Sequence, residues 1–205
     1  VTSQFTTTVR GLDSGETTVP LRAQIVRAAA KVTCETGWSS VRMGQLADLI
    51  GVSRQTVYNE IGSKQKLAEE MVLAELRNFL VLVESAFEAN PGDVVAAIRD
   101  ACRNVLEFAG DNPLLRAVVS ASHGSDNDLL PLLTTQSQAL IATAKAVVRD
   151  RLTAYTVPLS EHELEAATDL LVRAVLSHVM RPSGTPERSS ADIAMIAARI
   201  LGTTA

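Results

Sequence analysis

Aromatic residues are scarce, with four Phe, two Tyr and one Trp making up 3% of 205 residues. Sheets draw heavily on aromatic and β-branched side chains. This chain is instead dominated by Ala, Leu and Val, which tilts the fold to all-α. Cysteine is nearly absent: Cys34 and Cys102 stand far apart without a C-x-x-C partner. That excludes a disulfide framework and a thiolate zinc site, and both are expected to be small buried hydrophobes in a reducing compartment. No apolar run reaches the about 18 residues of a membrane span. The first twenty residues, rich in Thr, Ser and Gly, lack the apolar stretch of a signal peptide, so a cytoplasmic location is expected. His123, His162 and His178 have no metal-ligand spacing. There is no G-x-S-x-G elbow and no glycine-rich phosphate loop. Ser120, Ser122, His123 and Asp126 crowd one helix end, which does not build a triad. An enzyme is not indicated, and neither a cofactor nor a metal is expected.

What is present is a folded composition, 46% apolar and 20% charged, which rules out wholesale disorder. The net charge of −4 looks wrong for a nucleic-acid binder until the chain is divided. Residues 1–66 carry eight Lys/Arg against five Asp/Glu, and residues 67–205 carry eleven against eighteen. A head of +3 and a body of −7 face different partners.

The first nineteen residues show no helical period and read as a flexible tail. Thr18 is placed to cap a first helix with Pro20 in its opening turn. Ile25, Ala28, Ala29 and Val32 form one face and Gly37 stops it. A second helix fits Arg42–Ile50, with Met43, Leu46, Ala47 and Ile50 inward. Ser53 caps a third through about Asn59, and Ser63 a long fourth from Lys64 with Leu67, Met71, Ala74 and Phe79 apolar. Further helices are predicted near 91–109, 111–121 and 127–154, with Pro131 kinking or delaying the last. Ser160 and Glu163 form a capping box for a helix to about Met180; Pro182–Ser189 reads as a loop before a final helix over Ser190–Leu201. The total is about nine helices and no sheet.

The stretch Gly37–Leu67 has the physics of a helix-turn-helix. Gly51 sits where the chain must turn sharply, Val52 plugs the angle between the helices, and Ala47 is small enough for their close approach. Ser53 caps a helix whose amino end would lie in a major groove. Arg54, Gln55, Thr56 and Asn59 are residue types that read bases or phosphates, while Val57 points inward. Trp38 is expected to anchor the first two helices, its indole N–H near the groove edge.

This stretch resembles the DNA-binding domain of the TetR family of bacterial transcriptional repressors, with the pattern I-A-x-x-A-G-V-S-x-x-T-[LVI]-Y-x-H-F-x-S-K-x-x-L. Leu46-Ala47, Gly51-Val52-Ser53, Thr56-Val57-Tyr58, Ser63-Lys64 and Leu67 carry the match, which spans about fifty residues from Pro20 to Met71. The resemblance implies an N-terminal three-helix DNA-binding domain (residues 20–66) and a larger ligand-binding and dimerisation domain (67–205). It gives Tyr58 and Lys64 contacts to DNA phosphates, and Arg54, Gln55 and Thr56 contacts to bases or sugar-phosphate, with Ser53 capping and Asn59 a further candidate. Arg42 stands where relatives often place a phosphate-binding Thr. Two departures matter: Glu60 replaces a histidine and Ile61 an aromatic. Ile61 preserves packing. Glu60 repels a phosphate, and is expected to orient Arg54 or Lys64 or to accept from a cytosine amine.

For residues 67–205 the resemblance implies a pocket and a two-fold dimer through the last two helices. Leu164, Ala167, Leu171, Ala174, Val175, His178 and Val179 form a stripe suited to core or dimer contact. Candidate pocket residues are Arg103, Asn104, Phe108, Leu115, Val119, His123, Gln136, Leu140 and Arg173. With few aromatics to stack a planar ligand, the composition favours a small aliphatic effector such as a fatty acid or acyl thioester. The segments Tyr58–Lys64 and Arg173–His178 look like those of actinobacterial relatives, some of which control alkane or lipid oxidation. The function implied is a homodimeric repressor that binds a palindromic operator on double-stranded DNA and is released by its effector. A regulator without a small ligand, or an activator, is the competing reading.

Overall fold

The computed structural model describes residues 19–120 and 138–202. Among them are nine α-helices and no strand. The expected Thr18 cap, the tail before it and Pro131 lie outside the described residues.

Helix α1, Leu21–Thr36, buries Ile25, Val26, Ala29, Val32 and Thr33, and ends at Gly37, whose N–H bonds to the Thr33 carbonyl. A 3₁₀ turn, Trp38–Ser40, leads to α2, Met43–Ile50. Gly51 then takes a left-handed conformation (φ 75°), which a residue with a Cβ adopts only with strain. Helix α3 runs over Arg54–Ile61, two residues past the expected end, because Ile61 is still an inward position, 3% exposed. Its Ser53 cap accepts the Thr56 N–H at 3.0 Å. Ser63 caps α4, Lys64–Ala89, in the same way.

Helix α5, Val94–Asp111, starts later than predicted, since Asp93 is the cap and Pro91–Gly92 belongs to the turn before it. After α6, Pro113–Ser120, the description resumes with α7, Gln138–Leu152. Helix α8, Glu161–Met180, has the predicted capping box of Ser160 and Glu163. Helix α9, Pro186–Ile200, begins four residues before the expected Ser190. Thr185 accepts the Arg188 N–H and Pro186 occupies the first helical position. There a missing N–H costs nothing, so this proline starts a helix rather than extending a loop.

Two hydrophobic clusters hold these helices. The first gathers α1 to α3 with Leu67, Ala68, Met71 and Val72 of α4, and takes in Ala109, Leu114 and Leu115 from α5 and α6. The second packs α5 against α9 with the far end of α4, α7 and α8. Cys102 is buried there, as expected, and burial pushes its thiol pKa up to about 12. Cys34 departs from expectation: it is exposed on α1, next to the buried Thr33 and outside the apolar face. No described helix is long and apolar enough to cross a membrane.

Candidate nucleic-acid interface and interior cavity

The third helix rests on Val57, 0% exposed, and Ile61, which lock it against α1, α2 and α4. Its outer face is thereby fixed: Arg54, Gln55, Tyr58 and Asn59 are exposed together, with Thr56 half-buried beside the cap. The Arg54 guanidinium lies over the Tyr58 ring, 5.5 Å from its centroid. A hydrogen bond to the Tyr58 side chain raises the Arg54 pKa further. Gln55 donates to Asn59 at 2.8 Å, and the Ser53 and Thr56 hydroxyls are 2.8 Å apart. Gly44 of α2 lies under Arg54, where a Cβ would come 4.0 Å from Arg54 Cδ.

Three cations frame this face. Arg42 caps the start of α2, its guanidinium donating to the Ser39 and Val41 carbonyls. Lys64 opens α4 with its ammonium 4.8 Å from the centre of the Trp38 ring and 3.5 Å from the Ser39 carbonyl. Trp38 is buried, as expected of an anchor, and its indole N–H has no partner among the described residues. The third cation, Arg22 on α1, was not foreseen. Arg22 Nε lies 3.5 Å from the Glu60 carboxylate, and its Nη1 is 2.8 Å from Glu70. Glu60 therefore turns to α1, not to Arg54 or Lys64 as expected. The reason is proximity: Arg22, near the start of α1, also donates to the Glu60 carbonyl, so the carboxyl end of α3 lies against it.

Between the two clusters lies a cavity of about 180 Å³. Its walls come from α4 (Met71, Val72, Glu75, Leu76, Phe79, Leu80, Val83, Phe87), α5 (Ile98, Ala101, Cys102, Val105), α6 (Leu114, Leu115), α7 (Leu140, Ile141, Ala144, Val148) and α8 (Leu171, Val172, Val175, Leu176, Val179, Met180). Of the candidate pocket residues, Leu115 and Leu140 are in the wall. Phe108 is one ring back, edge-on to Phe79 at 5.0 Å. Arg103 turns away to Asp100 and Glu107, and Arg173 to Asp169, so neither lines it; nor does half-buried Asn104. Nothing is described of His123, Gln136 or the Val119 side chain.

The stripe on α8 divides. Leu171, Val175 and Val179 face the cavity, and Ala167 is buried in the same chain, while Leu164 and Ala174 are half-buried. His178 Nδ1 donates to the Ala174 carbonyl at 2.8 Å, beside a second hollow that Arg116 also lines. The large apolar residues that α8 and α9 leave exposed are Leu170, Met195 and Ile196, which the stripe did not include. The sequence carried one signal for the α4 wall: Glu75 interrupts an otherwise apolar face of Met71, Val72, Leu76 and Phe79.

Two family models match this chain over the parts just described. The model for the C-terminal domain of the bacterial tetracycline repressor matches residues 93–199. The model for bacterial regulatory proteins of the tetR family matches residues 25–71. The chain belongs to the TetR family. Members are transcriptional regulators, not enzymes. Among curated relatives, the HTH-type transcriptional regulator AlkX of Mycobacterium tuberculosis is 28% identical over 176 residues, covering 86% of this chain and 82% of the relative. Among solved structures, the TetR family repressor AlkX of a Dietzia strain, implicated in biodegradation of n-alkanes, is 26% identical with a TM-score of 0.72. That alignment covers 90% of this chain and 97% of that one. The repressor QsdR of R. erythropolis, 18% identical with a TM-score of 0.61 over 90% and 95% of the two chains, shares the fold.

Proposed function

We propose that this TetR-family chain is a homodimeric, cytoplasmic transcriptional repressor whose operator affinity is lowered by a small aliphatic effector. One observation carries the reading: a single helix serves both ends. Helix α4 opens with Lys64 beside the recognition helix and walls the cavity from Met71 to Phe87. Lys64 and Glu75 are about 16 Å apart along its axis at the α-helical rise. A ligand that moves the wall of the cavity moves Lys64 with it, giving the differential contact that coupling between two sites requires.

Residues 20–66 act as the operator-binding head and residues 67–205 as the effector-binding and dimerising body. Arg42, Tyr58 and Lys64 take phosphates; Arg54, Gln55, Thr56 and Asn59 take base edges or sugar-phosphate, with Ser53 capping the helix. In support of an aliphatic effector, the cavity wall is almost wholly hydrocarbon, and the Dietzia relative is implicated in alkane biodegradation. In support of a dimer, Leu170, Met195 and Ile196 are each more than half exposed on the last two helices. A two-fold dimer sets a palindromic operator with half-sites about 34–36 Å apart.

The test is a gel-shift titration on DNA upstream of the chain's own gene, at physiological salt, with and without n-alkanes, alcohols, fatty acids and aromatic drugs. A specific shift that one aliphatic class releases is the expected result. A specific shift that none of them releases overturns the effector reading and leaves a regulator without a small ligand.

A further inference from the structure

The turn Trp38–Ser40 and the first residue of α4 meet at the edge of the proposed operator face. Gly37, with φ 85°, lets the chain leave α1 and enter that turn, and the Ser63 cap starts α4 at Lys64. Two local motifs thus fix where one ammonium sits. Lys64 Nζ lies over the Trp38 ring, 4.8 Å from its centroid, and 3.5 Å from the Ser39 carbonyl. The same carbonyl accepts from Arg42 Nη1. Two cations therefore converge on one turn, and their mutual repulsion calls for a negative surface nearby. The face of an aromatic ring is such a surface.

Trp38 is 6% exposed and Lys64 is half-buried, so the pair is partly out of water, where a cation over a ring is held more strongly than at an open surface. The indole N–H does not account for a tryptophan at this place. It is buried without a hydrogen-bond partner among the described residues, which by itself disfavours Trp against Phe. What the indole adds is its face, the best of the aromatic faces for a cation. A lysine also has much rotamer freedom to lose when it is ordered on a ligand. One that already rests in place loses less.

We propose that Trp38 is a positioning residue for DNA binding: its ring face holds the Lys64 ammonium ready for a backbone phosphate. This rests on Lys64 taking a phosphate. Trp38 acts through Lys64 and touches no DNA itself. The carbonyl contact, at the limit of hydrogen-bond range, yields to a charged phosphate oxygen, while the ring stays beneath the ammonium. Only molecules with Lys64 in place bind at full affinity, and losing a contact of this class lowers that fraction by up to about fivefold.

Trp38 is the only tryptophan in the chain, so a fluorinated analogue supplied in its stead alters that ring and no other. Fluorine is close to hydrogen in size and draws electron density from the ring face, which weakens its hold on a cation and keeps the packing. Full-length chain carrying tryptophan, 5-fluorotryptophan or 5,7-difluorotryptophan is titrated with a random-sequence duplex of about 30 base pairs, since phosphate contacts are independent of sequence. Each form is also made as Lys64→Met, which keeps an apolar stem without the charge, and circular dichroism checks that all are folded. Affinity is expected to fall stepwise with fluorine, by about two- to fivefold for the difluoro form. In Lys64→Met the three forms should bind alike. Equal affinity of the three forms with Lys64 present overturns the proposal. So does a fluorine-dependent loss that persists in Lys64→Met, which would make Trp38 a packing residue alone. The reading beneath it is tested by repeating the titrations over a range of salt, where Lys64→Met should flatten the plot of log K against log salt by about 1. An unchanged slope removes the phosphate role of Lys64 and the positioning role with it. A flattened slope with no effect of fluorine leaves the phosphate contact standing and removes the positioning alone.

Discussion

Lys64 and Tyr58 reach the outer face of the head from different helices, and on the proposed phosphate role of both their loss should look alike. Lys64→Ala and Tyr58→Phe are expected to weaken binding about equally on operator and on random DNA. Each lost phosphate contact should flatten the plot of log K against log salt by about 1. A loss confined to the operator would contradict the phosphate role. Arg54 and Gln55 make the opposite prediction. Substituting either with Ala should cost about 1–3 kcal/mol on the operator and relax preference at one symmetric pair of bases, read by selection from a randomised site. Arg54 stacks on Tyr58 and Gln55 bonds to Asn59, so each side chain already has a preferred pose before DNA arrives. Their shared outward face was legible in the sequence because a short helix is local: cap, inward Val57 and outward polar positions lie within nine residues of one another. The partner of Glu60 was not legible because Arg22 lies far away in the chain, and no spacing rule encodes a pairing made by tertiary packing.

Helix ends were readable wherever a side chain closes on its own backbone, as Ser53, Ser63 and Ser160 do. The capping box at the start of α8 has a pH consequence. The Ser160 side chain and its backbone N–H hold the Glu163 carboxyl below its ordinary range. A carboxyl depressed on folding lends its stability above its unfolded value, about 4.3, and withdraws it as pH falls through the folded one. As the loss of a helix cap, Ser160→Ala should lower stability by about 1 kcal/mol at neutral pH, and by less once pH lies below the depressed folded value, where Glu163 is protonated in both proteins. Denaturant melts at the two pH values measure it; an equal loss at both would separate the cap from the carboxylate. The cavity was less legible than the helices. Periodicity says that Met71, Leu76 and Phe79 share a face, but not whether a neighbour fills the space that face looks onto. Polar residues such as Arg103 and Arg173 were natural candidates for gripping a ligand. Each has instead a carboxylate three or four residues away along its own helix, and that partner is already made.

For the whole molecule, the proposed dimer rests on the exposed face of α8 and α9. Leu170→Glu with Met195→Glu should give a monomer by light scattering with unchanged helix content by circular dichroism. A palindromic site would then be bound no better than a half-site, because two linked heads no longer share one encounter. Retention of the dimer would move the interface elsewhere. The first hydrophobic cluster has a consequence of another kind. Leu67, Met71, Leu114 and Leu115 complete the packing around Ile25, Leu46 and Val57, so the head and the body share one apolar core with no solvated boundary between them. The head then has no melting transition of its own. In native-state hydrogen exchange the amides of α1 and α5 should open in one cooperative unit, with one free energy. A fragment cut at residue 66 would leave Ile25 and Val57 facing water, and should behave as an unfolded chain rather than as a small DNA-binding protein.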